Sequence, residues 1–182
     1  HAGAKSLVIG VSGGLDSAMA LMVATEAAVR AGLDKSAVVG VVMPGLGSTK
    51  ATQDLARRLV VAAGATLREI SIVRAAQEHL KDLGHDGRAD ITFENAQARE
   101  RTQVLMDLAN QLSGLVVGTG DLSELALGFC TYAGDQISMY GVNAGVAKTL
   151  IKEMVLAISR DDGVLHAIVQ EIVAIPPSPE LL

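Results

Sequence analysis

Ser12, Gly13, Gly14, Leu15, Asp16 and Ser17 form a short run of small and polar residues between two very different neighbours. Residues 7–11 before it are mostly apolar and suit a buried strand, and residues 18–31 after it are unbroken helix-forming sequence. A loop at the junction of strand and helix gathers free backbone N–H groups and the positive end of the helix dipole, and so attracts phosphate. The two glycines permit close backbone approach, and the two serines add hydroxyl donors. The loop has an aspartate and no lysine, so it meets neither the Walker A pattern, which ends in Gly-Lys-Ser/Thr, nor GxGxxG. An acid inside an anion site makes chemical sense where a divalent cation bridges it to phosphate.

Three further groups stand out by type and spacing. Thr119 and Glu124 lie in Gly118-Thr119-Gly120-Asp121-Leu122-Ser123-Glu124, after the apolar residues 115–117. Asp16 and Glu124, from two strand ends, would make a hard-cation site; equally, Asp121 with Glu124 three residues on reads as a capping box. Asn95 and Arg99 are four apart on a long helical pattern and share a face, although Glu94, Arg99, Glu100 and Arg101 could simply pair on a solvated surface. Lys148 stands at a helix start, where the dipole disfavours a cation.

The elements that must position these groups alternate along the chain. Strands are expected at residues 7–11, 37–43, 67–72 and 115–117. Helices are expected at 18–31, from Ser48 or Thr49 to 63, and at 74–83, 93–112, 146–159 and 164–173, with a polar break at 84–90. Strands separated by helices imply an α/β fold: a doubly wound, mostly parallel sheet with helices on both faces. Ligands in such sheets bind beyond the carboxyl ends of the strands. If the first and fourth strands are neighbours, the loops 12–17 and 118–124 face one crevice.

Composition narrows the classes. The 182 residues suit one domain, residues 1–182, with a full-sized core. Hydrophobic residues make up 49% and mean hydropathy is +0.37, yet no apolar run approaches the roughly 18–20 residues that span a bilayer. Aromatics at 2% and a net charge of −5 argue against a nucleic-acid surface. The single cysteine, Cys130, fits a reducing, cytoplasmic compartment. The histidines His1, His79, His85 and His166 make no zinc motif and are expected on the surface or in loops. The start at His1 suggests a piece of a longer chain.

The loop VSGGLDS resembles the SGGxDS signature of the N-type ATP pyrophosphatases, which activate an oxygen by adenylation and release pyrophosphate. The segments MPGLGST, FENAQARERTQ, VVGTGDLSELALGFCTYAGDQISMYGVN, AGVAKTL and PPSPELL are similar, in that order, to the NAD synthetase family, and the long middle segment resembles the synthetase domain of the glutamine-dependent members. The resemblance implies an adenine-nucleotide alpha-hydrolase-like, Rossmann-like fold and ATP-dependent amidation of deamido-NAD (nicotinic acid adenine dinucleotide) to NAD. Ammonia is the nitrogen donor, fed by a nitrilase-like glutaminase domain elsewhere in such proteins.

The same resemblance implies roles for individual residues. Gly10, Val11, Ser12, Gly13, Gly14, Leu15, Asp16, Ser17, Thr119, Lys148 and Ser178 would contact ATP. Asp16 and Glu124 would hold Mg²⁺, and Asp16 and Lys148 would be catalytic. Asn95, Arg99, Glu124, Phe129, Cys130, Thr131, Tyr132 and Asp135 would line the dinucleotide. Cys130 is not expected to act as a nucleophile, because the family's chemistry needs no covalent enzyme intermediate. A homodimer is implied, since the family's dinucleotide site lies at a subunit interface. The chain departs from the family at Lys50 and Ala51, where an acidic–arginine pair is usual, and at Ala147, where proline is common. Two alternatives are another N-type ATP pyrophosphatase, either GMP synthetase or a tRNA-thiolating enzyme, and a nucleotide-binding module without turnover. SELALGFCTY and SMYGVN argue against the former.

Overall fold

The computed structural model describes residues 2–175. Five parallel strands form one sheet: β1 (Ser6–Gly10), β2 (Val38–Val42), β3 (Thr66–Glu69), β4 (Gly114–Gly118) and β5 (Tyr140–Gly141), in the order β3-β2-β1-β4-β5. The helices are α1 (Leu15–Arg30), α2 (Lys50–Ala62), α3 (Val73–Asp82), α4 (Ile91–Gln111), α5 (Leu122–Leu127), α6 (Lys148–Ser159) and α7 (Gly163–Ala174).

Strand alternation assigns each face. Ile9, Val11, Val38, Val42 and Val117 point to one side and pack with Leu21 of α1, Leu59 of α2, Ile151 of α6 and Ile168 of α7. Val8, Val39, Val41 and Val116 point to the other and pack with Leu108 and Ala109 of α4. The central strands are therefore apolar on both sides, as a sheet covered by helices on both faces requires. Side chains such as Ile9, Leu21, Leu59 and Ile151, all fully buried, each contribute ~1.5–3 kcal/mol through burial. Helix α2 sits hard on the sheet at Gly40, where a Cβ would fall 2.5 Å from Val60 Cγ2.

The doubly wound reading holds, with local differences. Helix α1 begins at Leu15, not Ala18, so Asp16 and Ser17 belong to its first turn. Strand β3 stops at Glu69 rather than residue 72. The chain nevertheless keeps following β2, since the Ile70 N–H donates to Val42 O and the Ile72 N–H to Pro44 O. The capping box at Asp121 and Glu124 does open a helix, the short α5, whereas strand β5 has no counterpart among the expected strands. Among the described residues no helix is long and apolar enough to cross a membrane.

Candidate active site

Strands β1 and β4 pair in parallel from Ser6↔Gly114 to Val8↔Val116. From β1 the chain winds outward through β2 and β3, then returns to the opposite side of β1 at β4. The β1–β4 boundary is thus the topological switch point, the place where open parallel sheets bind ligands in a crevice beyond the strand ends. The loops after β1 and β4 both lead into it.

The first loop is built to leave helix N–H groups available. Gly14 is the N-cap of α1 and no side chain caps it. Ser12 Oγ instead accepts the Gly14 N–H at 3.1 Å, and Ser17 Oγ donates to Gly14 O at 3.0 Å. Gly13 has φ +92°, and a Cβ there would lie 2.6 Å from Thr52 O of α2. Val11 and Leu15 face the core, and Gly10 lies against Leu105 and Met43. Gly10 and the buried Val11 can meet a ligand only through backbone atoms, while Leu15 keeps part of its side chain exposed.

Four charged side chains converge beside this loop. Lys148 Nζ lies 2.8 Å from Asp16 Oδ2, 2.8 Å from Glu124 Oε1 and 3.3 Å from Asp121 Oδ2. The capping box is also real: Asp121 accepts the Glu124 N–H at 2.8 Å, and Glu124 reaches back to the Asp121 N–H at 3.3 Å. Glu124 therefore caps α5 and contributes to the cluster at once. One oxygen from each of Asp16, Asp121 and Glu124 lies within 4.8 Å of the others. Asp16 Oδ1 is buried without a hydrogen bond, and Asp121 Oδ2, also buried, has the Lys148 ammonium at 3.3 Å as its ion-pair partner. Three carboxylates against one ammonium leave two net negative charges, and the unpartnered, buried Asp16 Oδ1 suits a cation; the set fits Mg²⁺.

Burial raises the Asp16 carboxyl to about 6 despite the opposing Lys148 ammonium. Burial lowers the Lys148 ammonium, but its hydrogen bonds to Asp16 and Glu124 more than offset this and hold its pKa above the usual lysine range. Burial raises Asp121, yet the Glu124 backbone N–H and Lys148 bring it below the usual carboxylate range. Lys148 is the first residue of α6, after an N-cap without a side-chain bond; the three carboxylates compensate the unfavourable dipole.

A second group lies on α4 and the segment after α5. Arg99 donates from Nε and Nη2 to Tyr132 O, both at 3.2 Å. The Thr131 N–H donates to Asp135 Oδ1 at 2.7 Å. Phe129 and Tyr132 are 70% and 82% exposed, so neither is a core residue. Asn95 is half-buried on the same helix as Arg99. Burial, followed by the Asp135 and Glu124 charges, pushes the Cys130 thiol up, which is opposite to what a nucleophile needs. Lys50 and Ala51 are exposed at the start of α2, and Ala147, with φ −68°, has the backbone angle of a proline. Ser178 lies outside the described residues.

Three positions escaped the sequence reading as site residues: Asp121, seen only as a cap, Gln97 and Asn143. Gln97 is fully buried; its Oε1 accepts the Leu46 N–H at 2.8 Å and its Nε2 donates to Phe93 O at 3.2 Å. It fixes the loop after β2 to the helix that carries Asn95 and Arg99. The histidine expectation needs one correction. His166 lies within α7, partly buried against Ser159, whereas His85 is in the loop between α3 and α4 as expected, its side chain 10% exposed and 3.0 Å from Asp90, the cap of α4.

A parallel sheet with an uncapped glycine loop, three carboxylates and a lysine at its switch point defines an α/β phosphate-binding domain of the adenine-nucleotide alpha-hydrolase-like, Rossmann-like type. A family model described as NAD synthase matches residues 1–182, and the chain belongs to that family. It is 49% identical over 155 residues to a glutamine-dependent NAD(+) synthetase of Mycobacterium bovis, covering 82% of this chain and 23% of that protein. The chain thus spans about a quarter of that relative's length. Among solved structures it is similar to a glutamine-dependent NAD+ synthetase from Acinetobacter baumannii in complex with ADP. The TM-score is 0.85 at 29% identity, over 96% of this chain and 33% of that one. It is also similar to an NMN synthetase from Francisella tularensis, with TM-score 0.83 and 26% identity over 98% of this chain and 68% of that one.

Proposed function

We propose that this domain amidates deamido-NAD to NAD with ATP and ammonia. The observation that carries this reading is the convergence of Lys148 with Asp16, Asp121 and Glu124 beside the uncapped α1 N-terminus, in a chain of the NAD synthase family. The nicotinate carboxylate attacks the α-phosphorus of ATP, the bond to the bridging oxygen breaks, and pyrophosphate leaves. Ammonia then attacks the acyl carbon of the adenylate, loses a proton and expels AMP. Loop amides at Gly13–Ser17, the Ser12 and Ser17 hydroxyls and Thr119 bind the phosphates. Lys148 offsets charge as pyrophosphate departs, a contribution that depends on a pre-placed cation. Asp16, Asp121 and Glu124 would hold Mg²⁺, which supplies charge neutralisation on the phosphates when bound. Asn95, Arg99 and the segment 129–135 bind the dinucleotide. No general base is apparent in the cluster, and positioning carries most of the catalysis.

The ammonia comes from a glutaminase domain elsewhere in the same protein, a reading supported by the glutamine-dependent relatives and by the fraction of their length that this chain spans. The protein works as a homodimer in the cytoplasm. Leu127, Phe129, Tyr132 and Tyr140, each at least two-thirds exposed along α5 and the segment to β5, supply apolar surface for a second copy. The likeness to the Francisella NMN synthetase favours one second reading, the same amidation on a mononucleotide.

Exchange of labelled pyrophosphate into ATP tests the adenylation step. Label enters ATP only when deamido-NAD and Mg²⁺ are present. Exchange that is faster with nicotinic acid mononucleotide assigns the mononucleotide reading. No exchange with either substrate leaves a binding module without turnover.

A further inference from the structure

Asn143 lies between β5 and α6 and is fully buried. Its Nδ2 donates two hydrogen bonds of 2.9 Å, one to Asp16 O and one to Thr119 O. The orientation of the carboxamide is dictated chemically, because two carbonyl acceptors require the NH₂ group and not the oxygen. Oδ1 is buried with no partner. A buried amide that spends both donors on backbone carbonyls and leaves its acceptor unsatisfied is costly, so its location matters.

The two carbonyls belong to the two loops that border the crevice. Strand pairing between β1 and β4 ends at Val8↔Val116. Beyond that point no β1–β4 pairing holds the two backbones at a fixed spacing. Asn143 spans that gap. One link ends on the residue that carries the Asp16 carboxylate, the other two positions before Asp121, whose side chain caps α5 and places Glu124.

The segment that carries Asn143 also carries Lys148. The Val146 N–H donates to Asn143 O at 2.9 Å, Val146 O accepts the Leu122 N–H at 3.0 Å, and the Lys148 N–H donates to Ser123 Oγ at 3.2 Å. A single side chain therefore ties together the backbones that present Asp16, the Asp121–Glu124 pair and Lys148.

We infer that Asn143 is a positioning residue for the cation site: it sets the spacing of the three carboxylates by bridging the β1 and β4 loops, without touching the cation or the substrates. The inference rests on the proposed role of that cluster, and its test separates the two. Asn143→Ala removes both bridges, Asn143→Asp keeps the shape but turns an acceptor toward two carbonyls, and Asn143→Ser retains one donor. Mn²⁺ alone, titrated by electron paramagnetic resonance, serves as the probe, beside far-ultraviolet circular dichroism and NAD formation at varied Mg²⁺. The Mn²⁺ dissociation constant is expected to rise at least fivefold in the alanine and aspartate variants and less in the serine variant. The Mg²⁺ concentration for half-maximal activity should rise in parallel.

A merely structural asparagine would lower the melting temperature and leave the metal affinity of the folded fraction alone. Mn²⁺ affinity within twofold of wild type in a folded variant overturns the inference, as does a wild-type protein that binds no Mn²⁺. Failure of all three variants to fold also overturns it, by making Asn143 a determinant of the fold. A wild type that binds Mn²⁺ but forms no NAD defeats the proposed reaction and leaves the positioning role to be judged by the Mn²⁺ shifts.

Discussion

Lys148 Nζ stands 2.8 Å from Asp16 Oδ2 and so joins the first turn of α6 to the first turn of α1 across the crevice. Neither residue is comfortable alone. Lys148 sits at the positive end of a helix, and the Asp16 carboxyl is substantially buried. Each compensates the other, and Asp121 and Glu124 add more negative charge than one ammonium balances. The excess is what a divalent cation would neutralise, and Lys148 is a cation already within reach of any phosphate that enters with it.

Replacement of Lys148 by alanine removes the ammonium from three carboxylates. NAD formation is expected to fall ~10²–10³-fold, the scale seen when a pre-placed transition-state donor is lost. Without ligand the variant holds three acids with no internal counter-charge, so Mg²⁺ should raise its melting temperature more than it raises that of the wild type. Thermal melts of both proteins with and without Mg²⁺ check this; equal shifts would count against the shared site.

The elevated Asp16 carboxyl makes stability depend on pH with a definite sign. Between its ordinary value of 3.8 and its folded value of about 6, the folded protein binds more protons than the unfolded chain, so this group lowers stability as pH rises. The penalty is absent below about pH 4 and fully present above about pH 6, and amounts to ~3 kcal/mol. Denaturant unfolding of the metal-free protein from pH 4 to 7, compared with Asp16→Asn, should show this difference; parallel curves would contradict it. Cation affinity should rise over the same interval, as Asp16 ionises.

Gly13→Ala confronts two obstacles. The backbone is left-handed at φ +92°, which costs a side-chain-bearing residue ~1–2 kcal/mol. The new Cβ would also press to 2.6 Å from Thr52 O, a backbone atom of α2 that cannot move freely. A total loss above ~2 kcal/mol is expected, with KM for ATP raised at least tenfold as the loop shifts. Urea unfolding and ATP saturation curves measure both.

Arg99 holds the Tyr132 carbonyl through two hydrogen bonds at the surface. Arg99→Ala should therefore cost little stability, ~0.5–1.5 kcal/mol. It should raise KM for deamido-NAD about tenfold, equivalent to ~1.4 kcal/mol, while KM for ATP stays unchanged. A change confined to ATP would reassign this side chain.

Much of this arrangement is legible in the residues. The glycine loop is flanked by a β-branched run and an alanine-rich helix, so its place at a strand-to-helix junction follows from composition alone. The unbroken apolar run at residues 38–42, with no polar side, marks a strand covered on both faces. Helix α5 and strand β5 are too short for either periodicity to declare itself. Glu124 offers itself in the sequence as cap or as cluster member; one of its oxygens accepts the Asp121 N–H while the other meets Lys148 Nζ, so the cap leaves it free to join the cluster. Asn143 and Gln97 were invisible for another reason. Their partners are backbone groups of distant loops, Asp16 O and Thr119 O for the first and the Leu46 N–H for the second, and main-chain acceptors and donors leave no mark on residue type.

The central claim is best tested by incubating the protein with deamido-NAD, ATP, Mg²⁺ and ammonium and measuring NAD and AMP together. The account predicts NAD and AMP in equal amounts, both dependent on the dinucleotide and both reduced ~10²–10³-fold in Lys148→Ala. ATP bound but not consumed, with neither product formed, would contradict it.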